Sequence, residues 1–153
     1  MDNKEFISFR LKLNTTQKQM AELIGKSLRA VQSFEQGWRK IPENIERQLL
    51  YLVFMKEMKG KPLVPCWELR ECSPEKKEKC PAWKFNTGHM CWFINGTICQ
   101  GKAHRDWYEK VRFCLTCEAF KPVNLLLRSL GWIEGKKSRP SRSRKRKQKK
   151  LVF

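Results

Sequence analysis

The sequence predicts an all-α N-terminal bundle of four to five helices built on a helix, a turn and a helix. A small, loop-rich module of cysteine and tryptophan and a disordered basic tail follow it. Three observations carry that prediction. Residues 1–58 contain no cysteine and repeat their apolar side chains at helical spacing. All seven cysteines fall between Cys66 and Cys117. Residues 136–150, KKSRPSRSRKRKQKK, hold ten basic side chains and no acidic one.

The elements follow in order. Phe6, Phe9 and Leu13 sit on one helical face before a break at Asn14. TQKQ, from Thr16 to Gln19, is spaced as a capping box, with the Thr16 hydroxyl and the Gln19 side chain each meeting an exposed backbone N–H. Met20, Ala21 and Ile24 then face inward until Gly25 ends the helix. Ser27 suits the N-cap of the next helix, which turns Val31 and Phe34 to the core and closes at Gly37. Pro42 fits the first turn of a further helix carrying Ile45, Leu49 and Leu52. Two prolines and a glycine in KGKPLVP mark residues 59–65 as a linker. Residues 66–132 form the cysteine-rich module, with one short amphipathic helix in PVNLLLRSLGW ending at Gly131. Residues 133–153 hold too little apolar surface to offset the entropy of ordering.

Charge and composition narrow the function. A net charge of +18 on 153 residues favours polyanionic partners. The tail supplies ten of those charges, so the rest of the chain stays basic. No stretch approaches the roughly 20 apolar residues that a membrane helix needs. MDNKEF lacks the pattern of a secretory signal, so the expectation is a cytoplasmic protein without a membrane partner. In a reducing compartment, clustered cysteines point to metal or redox chemistry before disulfides.

The stretch FRLKLNTTQKQMAELIGKSLRAVQSFEQGWRKIP resembles the Cro/phage-repressor type of helix-turn-helix domain. The matching features are Arg10 after an apolar residue, Thr16 and Gln17, Ala21, the turn at Gly25, the inward Val31, then Glu35, Gly37 and Pro42. The resemblance spans roughly residues 5–57. The sequence departs from the pattern at Lys26, where an apolar residue is usual, and at the bulky Phe34. What the resemblance implies is a double-stranded DNA reader, with a second copy of the chain as partner on the operator. Its second helix would enter the major groove with Leu28, Arg29, Gln32 and Ser33 as base-reading positions. Arg29 would bond guanine, Gln32 adenine, and Leu28 would touch a thymine methyl. Gln17, Arg39 and Lys40 would hold phosphates. The alternative is that these side chains form the solvated face of a helical bundle. The basic tail would add sequence-independent nucleic-acid affinity by counterion release.

The cysteines are spaced C-x5-C-x7-C-x10-C-x7-C-x14-C-x2-C. A single C-x2-C is not a zinc ribbon, and Glu118 after CLTC excludes haem attachment. Three readings stay open. Four thiolates hold an iron–sulfur cluster or another metal; a structural zinc replaces a small core; or the thiols are packed, joined in disulfides or redox-active. The candidate ligands are Cys66, Cys72, Cys80, Cys91, Cys99, Cys114 and Cys117, with Cys114 and Cys117 the safest pair. Trp67 and Trp92, each beside a cysteine, are candidate walls. His89 and His104 are accessory candidates that fit ordinary surface or core histidines better. CWE at 66–68, Cys72, CPA at 80–82, CW at 91–92, GTIC at 96–99 and CLTCEAF at 114–120 together resemble the two-CW domain. That resemblance implies a regulatory attachment with metal or redox chemistry and carries no ligand assignment.

The sequence therefore predicts a DNA-binding transcriptional regulator with a metal-binding or redox-sensing cysteine module. The alternative is a DNA- or RNA-associated adaptor whose cysteine module is purely structural. An enzyme is not expected, since no phosphate loop, nucleophile elbow or zinc-protease helix occurs.

Overall fold

Helix caps organise the first half of the chain. In the computed structural model, which describes residues 1–104 and 106–132, Asp2 caps α1 (Asn3–Lys12) in a capping box closed by Glu5. Thr16 and Gln19 close the expected box at the start of α2 (Gln17–Leu23), with bonds of 3.2 and 2.9 Å. Ser27 accepts from the Ala30 N–H to start α3 (Leu28–Glu35). Gly25 turns the chain between α2 and α3 at φ +63°, in the left-handed region that favours glycine. Pro42 stands one residue before α4 (Glu43–Met58) rather than inside its first turn, because its extended backbone serves as the N-cap. On α4 Ile45 and Leu49 are buried as expected, but Leu52 is half-buried and Val53 takes the inward place. Phe6, Phe9, Met20, Val31 and Phe34 complete this core.

The second half is built from shorter pieces: α5 (Cys66–Leu69), α6 (Pro74–Lys79), α7 (Pro81–Lys84), a single 3₁₀ turn at Gly88–Met90, then a hairpin. Its strands β1 (Ile98–Cys99) and β2 (Lys102–Ala103) pair antiparallel, Ile98 with Ala103 and Cys99 with Lys102. Gln100 and Gly101 both adopt positive φ, which is what a two-residue hairpin turn requires. Next come α8 (Trp107–Cys114), a 3₁₀ turn at Glu118–Phe120 and α9 (Lys121–Ser129), with Gly131 at φ +72° just beyond. The described chain is thus mostly helical with one small sheet. The region after residue 65 is less loop-rich than its sequence suggests. α8 in particular has a clear inner face that the surrounding polar residues obscure. The tail expected to be disordered, 133–153, lies outside the described residues.

The two halves share one core. Phe54 of α4 meets the Trp92 ring edge-on at 5.4 Å, and Trp92 packs in turn against Phe93, Trp107 and Phe120. Arg47 of α4 donates to the Phe93 carbonyl at 2.8 Å and lies over the rings of Phe93 and Trp107. The buried Glu46 carboxylate accepts from the Tyr108 hydroxyl at 3.3 Å. Residues 59–65 separate the regions in sequence, while α4 forms a wall common to both. No helix among the described residues is long and apolar enough to cross a membrane.

Candidate metal centre and nucleic-acid interface

Local structure brings the cysteines together from five stretches of chain. Cys66 opens α5, and Cys72 follows that helix after a left-handed residue at Glu71. Cys80 sits at the joint of α6 and α7, ending one and capping the other. Cys91 follows the 3₁₀ turn, Cys99 lies on β1, and Cys117 stands three residues past Cys114, the last residue of α8. Cys66, Cys72, Cys80, Cys91, Cys99 and Cys117 all line one cavity of about 260 Å³. Cys114 is not in its wall and is buried behind it.

Trp67 and Trp83 join the cavity wall and meet edge-to-face at 4.9 Å. Trp92 does not: it belongs to the shared core, so of the two tryptophans expected to wall the cavity only Trp67 does so. Packing here is tight. A Cβ on Gly88 would stand 2.5 Å from the Trp67 ring and 2.6 Å from Pro65. Arg70, Lys76 and Lys77 bring positive charge to the same wall, and Lys77 lies over the Trp83 ring.

All seven cysteines are free thiols. Among the described residues, no three histidine, cysteine or carboxylate side chains stand at the spacing of a single-ion site. The thiols nevertheless act on one another. The Cys91 S–H donates to the Cys66 sulfur, which lowers Cys66 below the usual thiol range and, together with burial, raises Cys91 well above it. Burial pushes Cys114 up to about 12 and raises Cys72 and Cys99 as well. Six thiols on one cavity wall supply the type of donor that iron–sulfur clusters and zinc take. His89 is exposed and faces a separate apolar groove, while His104 is buried and stacks on Phe113 at 4.5 Å. Neither histidine lines the cavity.

One charged residue beside the cavity, Lys110, is not among the site residues expected from the sequence. Lys110 is 1 % exposed, and its ammonium donates to the Ile94 carbonyl and the Thr97 hydroxyl. The signal was present in WYEKVRFC. Trp107, Lys110, Val111 and Cys114 are spaced as one helical face, so a lysine stands where an apolar residue would be expected.

The residues expected to meet DNA lie on α2, on α3 and in the segment after Gly37. Leu28, Arg29 and Gln32 are exposed on α3, opposite the buried Ala30, Val31 and Phe34. Ser33 is half-buried and donates its hydroxyl to the Arg29 carbonyl at 2.8 Å. Gln17 donates its amide to Glu35 at 2.6 Å, and Glu35 is also ion-paired with Arg10. Arg39 and Lys40 are exposed beyond Gly37. Between them and α3 stands Trp38, 77 % exposed and absent from the sequence-derived set. With the exposed Leu28 of α3, this large aromatic beside two cations gives the surface an apolar component. Comparison with family models, curated proteins and solved structures finds no match to this chain.

Proposed function

We propose that the chain is a DNA-binding transcriptional regulator of the Cro/phage-repressor helix-turn-helix type, and that its cysteine-lined cavity holds a thiolate-ligated centre. The observation that carries this reading is the shared core. α4 packs against α1 on one side and through Phe54 against Trp92 on the other, and Trp92 directly follows Cys91 of the cavity wall. A change at the cavity thus has a packed route, through α4 and α1, to the helix that carries Arg29 and Gln32. The pairing of Arg10 with Glu35, two features of the resemblance lying 25 residues apart, also supports the reading.

In this reading α3 enters the major groove with Leu28, Arg29 and Gln32 toward the bases, while Arg39 and Lys40 hold phosphates. Ser33 and Gln17 contribute by fixing the fold, since each already has a partner within it. A bound centre would supply a redox-active or metal-dependent state. Its ligands would be drawn from the six wall thiols, Cys66, Cys72, Cys80, Cys91, Cys99 and Cys117, with Cys114 buried behind them. Loss of the centre frees the Cys91 segment and shifts Trp92 on α4, changing how two copies present their α3 helices to an operator.

A second reading keeps the DNA or RNA contact but makes the cysteine region a structural adaptor. It is favoured by the raised pKa of Cys72, Cys91, Cys99 and Cys114, since neutral buried thiols pack as small apolar groups. Anaerobic purification with iron, zinc and sulfide counts and an absorbance spectrum separates the two. Iron with visible absorbance supports the sensor; a colourless protein with one zinc or none supports the adaptor. Selection of bound DNA sequences by the wild type and Arg29→Ala tests the DNA half, which predicts relaxed specificity at one base pair.

A further inference from the structure

Lys110 carries an inference that rests on the metal-centre reading above. Helical spacing on α8 turns Trp107, Lys110, Val111 and Cys114 to the same inward side. An ammonium taken out of water is costly unless an anion meets it. Among the described residues no carboxylate lies within ion-pair distance of Lys110, and its two bonds go to a neutral carbonyl and a neutral hydroxyl. Of the ionisable groups whose charge acts on it, thiols lead: Cys114, Cys91, Cys99 and Cys80. Thr97, which accepts from Lys110, belongs to the cavity wall and also accepts from the Cys99 thiol at 3.9 Å.

We propose that Lys110 is the fixed counter-charge of an anionic thiolate-ligated centre in this cavity. More than two thiolates on a divalent ion, or four on an iron–sulfur core, leave net negative charge in a site that water reaches poorly. A buried ammonium behind the wall offsets that charge, whereas a neutral two-thiolate site would leave it unmet. Lys110 therefore selects for centres held by three or more thiolates. It is a positioning residue, acting on the ligands through charge and through Thr97 rather than by touching the metal.

The test compares the full-length protein with Lys110→Met and Lys110→Gln, each metal-free and each loaded anaerobically with ferrous iron and sulfide or with zinc. Glutamine keeps a donor for the Ile94 carbonyl and the Thr97 hydroxyl and removes only the charge. Both variants are expected to hold metal about 10- to 100-fold more weakly than the wild type, the usual effect of losing a group behind the ligands. The metal-free Lys110→Met protein is expected to unfold at or above the wild-type temperature, because an apolar side chain replaces a buried cation. Its rise in unfolding temperature on loading should be largely lost. Wild-type metal affinity in Lys110→Gln would overturn the proposal by assigning Lys110 to hydrogen bonding alone. A metal-free Lys110→Met that unfolds far below the wild type would overturn it too, by making the lysine a packing element. A wild-type protein that takes up neither iron nor zinc overturns the metal-centre reading itself, a result distinct from both.

Discussion

The halves of this chain reach order by different means. Residues 1–58 form four helices whose starts are set by Asp2, Thr16, Ser27 and Pro42 and whose inner faces are aliphatic and phenylalanine side chains. Residues 66–132 use helices of four to nine residues, too short to be stable alone, and bury Trp92, Trp107 and Trp132 with a lysine and seven thiols nearby. The difference teaches that the second half depends on its neighbours. It leans on α4 through Trp92, while the first half carries its own helix caps.

The strongest way to break that contrast is Trp92→Ala. It removes the ring joining Phe54 to Trp107 and Phe120 and should cost about 3–5 kcal/mol, the range for emptying a buried aromatic site. Urea unfolding followed by both circular dichroism and tryptophan fluorescence should show the two halves losing stability together. Unfolding of residues 66–132 alone, with the first half unchanged, would show that the shared core does not couple them. Next in size is Glu35→Ala, confined to the first half. It leaves Arg10 and Gln17 without their common acceptor and should cost about 3 kcal/mol. Its metal content, read by elemental analysis, should stay at the wild-type value.

Much of the first half could be read in the sequence because its signals are local. The Thr16 box, the Ser27 cap, Gly25 and the inward Val31 and Phe34 each depend on residues within a turn or two of chain. Pro42 stands one position before the first turn of α4 and Val53 is buried in place of Leu52, since a helix start and a buried stripe drift by a residue without changing the pattern. The second half hid more. Which cysteines share a cavity depends on contacts between α5, the β1–β2 hairpin and the turn at Cys117, and no local spacing encodes those. Trp92 beside Cys91 suggested a cavity wall, yet adjacent residues point in different directions, and this one points to α4. Lys110 was legible in principle from the face it shares with Trp107 and Cys114.

Two smaller perturbations sharpen the comparison from either side. Gly88→Ala would push a methyl group into Trp67 and Pro65, costing about 1–3 kcal/mol. Because Trp67 follows Cys66, the same change should lower metal content while leaving the α1–α3 core intact, which hydrogen exchange can resolve. Thr16→Ala removes one cap and should cost about 1 kcal/mol, with thermal unfolding as the readout and no change at the thiols.

The central claim is that the cavity and the α3 face belong to one device. It is tested most directly by measuring the affinity of one protein preparation for a selected DNA operator, first with its centre loaded and then after anaerobic removal of the metal. The account predicts at least about a tenfold change in operator affinity, equivalent to about 1.4 kcal/mol of coupling between the sites. Identical affinity in the two states, with metal release confirmed on the same sample, would contradict it.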